Sequence, residues 1–199
     1  EVLGNFFPFK KDQILKNKNN PSQSYMCIDP EIYFQLSKFI QSQYSQLINA
    51  LPNIHKIYLK HTNWFGQNGL AQKVDKGRAD FSYNGLGNSL KAMEYIVNLK
   101  FADQDYRDTL LNTNKAFLLE HKTKSKNDEK FWSDNNDGTG INMLGLLLMK
   151  IRTEQKKNKG LPIEPDEEFY IQFYDEFAKN DNKYYDHIYK GFKSIHGNT

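Results

Sequence analysis

The chain has 199 residues, with 27 basic and 24 acidic side chains, a net charge of +3 and one cysteine. That length predicts one domain with additions, and 38% hydrophobic with 14% aromatic content can build a core without disulfides or a structural metal. The near-balanced charge excludes a general polycationic coat for nucleic acid, and a single Cys27 excludes an internal disulfide framework or a Cys-rich zinc site.

Residues 1–28 carry little periodicity and read as an aromatic entry (Phe6, Phe7, Phe9) followed by a polar loop from Lys16 to Ser24. Glu1 to Asn5 lack the basic start and apolar run of a signal peptide, and a cytoplasmic location is the expectation. Asp29-Pro30-Glu31 is a helix start: Asp as N-cap, Pro where its missing N–H does no harm, Glu at the positive dipole end. Leu36, Ile40, Leu47 and Leu51, filled in by Tyr33 and Tyr44, predict a helix running to Leu51 before Pro52. Ile57-Tyr58-Leu59 reads as a short strand inside an otherwise irregular, glycine-dotted stretch.

A second helix is predicted over Leu90 to Phe101, from Leu90, Met93, Val97 and Phe101 at spacings of three and four, and a third over Gln104 to Asn112. Phe117-Leu118-Leu119 reads as extended. The Lys-rich stretch Lys122 to Lys130 and the Asn, Asp and Gly cluster Asp134 to Gly140 form a loop, ended by an apolar helix from near Asn142 to about Gln155. Its dense apolar run, Met143 to Met149, is far short of the roughly 20 residues needed to cross a bilayer. Lys156 to Gly160 reads as a linker. Pro165-Asp166-Glu167-Glu168 starts a helix that buries Phe169, Phe173 and Phe177 or their neighbours, and Tyr185, Ile188, Tyr189 and Phe192 mark another. The domain organisation expected is a main domain over 1–155 with a helical extension over 156–199 packed on it.

Three constellations offer chemistry. Glu31, Gln35 and Lys38 fall on one helix face, either a solvated polar ladder or a converging carboxylate, amide and amine. Gly138 and Gly140, with Asn142 at the helix start, form either an ordinary connection or a cradle whose N–H groups hold an anion. Trp132 is either a stacking surface or a lid on the core. With only three arginines, Arg78, Arg107 and Arg152, against many lysines, each is a candidate for gripping phosphate with its planar fork. The five histidines have no metal-ligand spacing with one another or with Cys27, so no metal and no cofactor is expected. No Gly-x-Ser-x-Gly elbow supports a serine hydrolase.

Taken in order, several of these stretches resemble the NADAR family, also called YbiA-like. Leu3-Gly4-Asn5-Phe6 is similar to its Leu-Ser-Asn-Phe opening, and Glu31-Ile32-Tyr33-Phe34-Gln35-Leu36-Ser37-Lys38-Phe39 to its Glu-His-Tyr-Phe-Gln-Ala-x-Lys-Phe helix. Gly77-Arg78, the run from Lys91 to Phe101, Leu110-Leu111-Asn112-Thr113 and Leu119-Glu120 follow in family order, similar to its Gly-Arg pair, Lys-Phe helix, Leu-Leu-x-Thr and Val-Glu steps. The run Trp132 through Gly138-Thr139-Gly140-Ile141-Asn142-Met143-Leu144-Gly145 to Leu148-Met149-Lys150-Ile151-Arg152 resembles the signature Gly-x-Gly-x-Asn-x-Leu-Gly-x-x-Leu-Met-x-x-Arg behind its Trp-Gly. Three positions depart: Ile32 stands for His, Glu129 for Asp and Ser133 for Gly. Glu129 carries its carboxylate one methylene further out, with Asp128 beside it.

The resemblance, covering roughly residues 3 to 155, implies a mainly α, single compact domain of the YbiA-like type with few short strands and a helical C-terminal extension. It implies an N-glycosidase that removes ADP-ribose from guanine bases of nucleic acid or nucleotide. Alternatives are hydrolysis of phosphoribosylamino-pyrimidine intermediates of riboflavin synthesis, or a non-catalytic ADP-ribose or nucleotide-binding module. An interaction protein working through the aromatic C-terminal helices is a further, lesser reading. The implied partner is ADP-ribosylated guanosine or a phosphoribosyl small molecule, with no membrane. Lys38 would attack the anomeric carbon to form a Schiff base, with Glu31 shuttling protons; direct water attack with Glu31 or Glu129 as base is the other route. Asn5, Phe6 and Gln35 would contact substrate, Trp132 would stack on base or sugar, and Gly138, Gly140 and Asn142 with Arg78 or Arg152 would hold phosphate. Arg152 has a structural role as its alternative.

Overall fold

The computed structural model describes residues 2–40, 80–121 and 130–179. Among them are five helices and one two-stranded hairpin, so the class is mainly α. They fall into two compact units, Glu1–Asp103 and Gln104–Thr199. The first helix, expected to run to Leu51, ends at Phe39 with Ile40 as its C-cap, and the strand Ile57 to Leu59 and the helix marked by Tyr185 to Phe192 lie outside the described residues.

The first unit opens with a hairpin where the composition of Lys16 to Ser24 predicts a polar loop. Strands β1 (Gln13–Asn17) and β2 (Asn20–Cys27) pair antiparallel, with Ile14 opposite Met26 and Leu15 opposite Tyr25. Leu15, Asn17, Tyr25 and Cys27 face inward, while Ile14, Lys16, Ser24 and Met26 face outward. The hairpin lacks a clean alternation because its outer face carries apolar Ile14 and Met26 and its inner face the polar Asn17. The Asn84 side chain braces its turn end, donating to the Lys16 carbonyl at 2.7 Å and accepting the Lys18 N–H at 2.9 Å.

Helix α1 (Pro30–Phe39) begins where the sequence places it: Asp29 Oδ1 accepts the Ile32 N–H at 2.8 Å and Pro30 occupies the first turn. It buries Ile32, Tyr33, Phe34, Leu36 and, just past its end, Ile40. Helix α2 (Ser89–Phe101) starts on an Asn88 cap, whose side chain accepts from Lys91, and buries the predicted stripe Leu90, Met93, Val97 and Phe101 with Ala92 and Ile96 between. α1 packs against α2 on one side and the hairpin on the other, making one small core.

In the second unit α3 (Gln104–Leu111) and α5 (Pro165–Lys179) pack on α4 (Met143–Asn158). Every residue of α4 from Met143 to Thr153 is buried, the polar Lys150 and Arg152 included. The expected linker at Lys156 to Gly160 is instead the end of this helix. Leu161 N–H bonds to the Lys156 carbonyl at 2.9 Å and Gly160 N–H to Lys157 at 3.0 Å, with Gly160 at φ +64, a Schellman close. Lysines suit a helix C-terminus because they oppose its negative dipole end, and here two also reach α5: Lys156 pairs with Glu167 and Lys157 with Glu168. With Lys150 bonded to Asp175 at 2.8 Å, these pairs run in opposite directions along the two helices, so α4 and α5 are antiparallel. α5 buries Tyr174 and Phe177, while Phe169 stays 55% exposed, stacked on Phe173. Of the three expected core phenylalanines, Phe177 is therefore buried and Phe169 is not.

Asp29 supplies a pH test of this framework. It is fully buried, and burial pushes its carboxyl up to about 6, opposed only in part by the Ile32 and Glu31 amides and the Lys100 charge. A folded pKa above the ordinary 3.8 means a contribution to stability that is complete below about pH 4 and is lost as pH rises through about 6. Asp29→Asn retains a capping oxygen and cannot titrate. The stability of wild type relative to this variant should therefore fall by on the order of 3 kcal/mol between about pH 4 and about pH 7 in urea melts. A difference that stays constant across that range would return Asp29 to its ordinary pKa.

Candidate functional site

On α1 the three polar residues share a face, as their spacing requires. Gln35 Nε2 donates to Glu31 Oε1 at 2.8 Å, which fixes the carboxylate against the helix. Glu31, Gln35 and Lys38 are all half-buried. Glu31 and Lys38 are seven residues apart, about 10 Å of helix rise along that face. Desolvation holds the Lys38 amine below the ordinary lysine range. Its Nζ lies 5.9 Å from the centroid of the Phe81 ring, which is 73% exposed.

Both ends of this face are braced. At the C-terminal end Asp80 N–H donates to the Lys38 carbonyl at 2.8 Å. Burial acts to raise the Asp80 carboxyl, but bonds from Ser82 and Asn84 outweigh it and hold it below its ordinary value, so it stays a charged acceptor that folds the turn carrying Phe81. At the N-terminal end the Asn5 carbonyl accepts the Glu31 N–H at 3.3 Å. Asn5 is itself buried, its amide nitrogen donating to Met93 Sδ at 3.4 Å, and the adjacent Phe6 is half exposed. The first unit thus gathers Asn5, Phe6, Glu31, Gln35 and Lys38 along one helix.

Trp132, Gly138, Gly140 and Asn142 belong to the second unit. Trp132 is half-buried, its ring edge-on to Phe131 at 5.0 Å. The chain from Lys130 to Asp134 folds back over the start of α4, and this decides what the glycine turn does. Six consecutive N–H groups, Thr139 through Leu144, donate within the unit: to the Asp137 carboxylate and to the carbonyls of Asp134, Lys130, Ser133, Phe131 and Trp132 in turn. An anion at this helix start would have to displace those bonds. Gly140 is required because a Cβ there would overlap the Ser133 carbonyl, whereas Gly138, at φ +78, faces open space.

Asn142 sits at the N-cap position in left-handed geometry, φ 58, and makes no side-chain cap bond. Its amide is turned aside: Nδ2 donates to the Leu118 carbonyl at 2.7 Å and Oδ1 accepts the Glu120 N–H at 2.8 Å. The same strip of α4 continues at spacings of three and four. A Cβ on Gly145 would overlap the Leu118 carbonyl, Met149 Sδ accepts the Leu118 N–H at 3.5 Å, and Arg152 Nη1 reaches Thr113 Oγ1 and the Ala116 carbonyl, both at 2.8 Å. Arg152 is fully buried with Nη1 bonded to this segment, an arrangement that matches the structural alternative for this residue. Much of the glycine, asparagine and arginine pattern in the strongest sequence stretch is therefore a docking strip for residues 113–120.

Arg78 and Glu129 lie outside the described residues. Sequence reasoning missed a close polar pair in the second unit: His121 Nδ1 lies 2.8 Å from Asp134 Oδ2, with the imidazole largely exposed and the carboxylate nearly buried. Thirteen residues separate the two, so no local periodicity could have announced it. Among the described residues no cluster of His, Cys, Asp and Glu could hold a metal, and no helix is long and apolar enough to cross a membrane. No family model, curated protein or solved structure matches the chain.

The strip predicts unequal glycines. Gly145→Ala should cost about 3 kcal/mol, the upper end of overpacking, because the Leu118 carbonyl is backbone and cannot step aside. Gly138→Ala should cost about 1 kcal/mol, the left-handed backbone penalty alone. Denaturant midpoints of the two variants read the contrast; equal losses would remove the steric role assigned to Gly145.

Proposed function

We propose that the chain is an N-glycosidase of the YbiA-like type that removes ADP-ribose from guanine in nucleic acid or nucleotide. Lys38 is the nucleophile and Glu31 the acid–base group. The observation that carries this reading is the α1 face itself: a carboxylate held by Gln35 and, two turns on, a half-buried amine whose proton is loosened by desolvation. The order of family-like stretches along the sequence supports it.

The chemistry follows from the substrate. A ribose whose anomeric carbon bears an exocyclic nitrogen can ring-open to an iminium, and a neutral amine can exchange for the leaving one. Lys38 Nζ adds to that carbon and gives up a proton to the Glu31 carboxylate; Glu31 passes this proton to the guanine nitrogen as its bond to the carbon breaks and the Nζ lone pair forms the new double bond. This leaves an iminium between the sugar and Lys38. The Glu31 carboxylate next takes a proton from water as its oxygen adds to the same carbon. Collapse of the carbinolamine returns the electron pair and a proton to Nζ and frees the sugar. A lowered lysine pKa raises the fraction of neutral amine near pH 7, so kcat/KM should climb along a limb set below the ordinary lysine range.

Incubation with guanosine-ADP-ribosylated oligonucleotide, with and without borohydride, tests this. Release of unmodified oligonucleotide and a borohydride-dependent mass adduct on Lys38 are expected. Lys38→Ala should abolish the adduct, and Glu31→Gln should lower kcat about a hundredfold or more. Release without an adduct, where a control iminium is trapped, would replace the lysine with direct water attack; binding without release would reduce the chain to a binding module.

A further inference from the structure

Lys100, near the end of α2, is only 2% exposed, a costly position for an ammonium group. Its Nζ donates to the Gly4 carbonyl at 2.7 Å and lies 5.4 and 5.8 Å from the centroids of the Phe7 and Phe101 rings. The Gly4 carbonyl also accepts the Phe7 N–H at 3.0 Å, closing a turn over Gly4 to Phe7. Within that turn the Asn5 carbonyl takes the Glu31 N–H, and the Asn5 amide is held by Met93, seven residues before Lys100 on the same face of α2. Helix α2 thus grips the turn at two points, the turn grips the first turn of α1 at Glu31, and Phe6 is left half exposed on it.

An apolar side chain of the same length would fill this site without burying a charge of its own. What it could not do is fasten a carbonyl. We propose that Lys100 is a positioning residue for the reaction proposed above, on which this inference rests: by holding the Gly4–Phe7 turn it sets the place of Glu31 and orders Phe6. Lys100 touches no reacting atom; it acts through Gly4 and Asn5.

Lys100→Met in the full chain separates this from a merely structural role. The protein should still fold, with a thermal midpoint lowered by the loss of the Gly4 bond and of the charge that offsets burial of Asp29, while amide hydrogen exchange at Glu31 and Phe7 becomes about tenfold faster and exchange in the middle of α2 is unchanged. On the ADP-ribosylated oligonucleotide kcat should fall about tenfold with KM within about twofold, the pattern of a displaced catalytic group rather than a lost binding contact. Lys100→Gln, neutral and too short to reach Gly4, is read in the same way if the methionine variant does not fold. Unchanged exchange at Glu31 and Phe7 in a folded variant overturns the proposal, and so does a lowered midpoint with kcat per folded molecule intact. If wild type releases no oligonucleotide, the N-glycosidase reading falls by itself, and the exchange measurement still decides whether Lys100 holds Glu31 in place.

Discussion

A helix buried on every face for about three turns imposes its surroundings. α4 is buried from Met143 to Thr153, and each neighbour in its unit answers a different part of that demand. α3 and α5 cover it along its length. The irregular segment 113–120 covers a third side, where no helix could come so close, because Gly145 removes the side chain that would keep a backbone carbonyl away. Irregular chain laid on a helix has polar groups to satisfy; Asn142, Met149 and Arg152 meet several of them from one strip of α4. At its first turn the Lys130 to Asp134 loop supplies the carbonyls that a free helix start would seek from water or an anion.

The first unit turns on the opposite arrangement. Its core is small, and polar groups are taken into it for placement: Asp29 caps α1, Asn5 links α1 to Met93, and Lys100 ties the amino-terminal turn to α2. The cost of burying them is offset by charge-assisted and backbone bonds, which are stronger in a low-dielectric interior. The result is that the backbone of α1 is held from outside at both Glu31 and Lys38, by the Asn5 carbonyl and the Asp80 N–H. Pre-set geometry of this kind is what general acid–base and nucleophilic chemistry needs.

Local signals were legible. Asp29-Pro30, the stripe Leu90 to Phe101, the apolar run after Asn142 and the acidic turn Asp166 to Glu168 mark helix starts or faces through short-range physics, and all four form. The hairpin was not legible, since Ile14 and Met26 on its outer face erase the alternation that announces a strand. Lys156 to Gly160 reads as a linker by composition because its purpose, contact with Glu167 and Glu168, depends on a helix ten residues on. On the candidate site, spacing brought Glu31, Gln35 and Lys38 to one face, and the Glu31–Gln35 bond follows from it. The glycine turn shows the limit of such reasoning: its residues suit an anion cradle equally well until one asks where its N–H groups point.

Sequence alone determined where α1, α2 and α5 begin, and that a carboxylate, an amide and an amine share one face of α1, because each of these rests on residues a turn or less apart. Tertiary structure decided whether a given polar group is spent or displayed. Asn142 and Arg152 became clamps for residues 113–120 and Lys100 an anchor for Gly4, while Lys38 stayed half-buried beside Phe81. The reason is physical: a buried donor or acceptor must be paired, and the partner that pairs it comes from a distant part of the chain that no local spacing can identify.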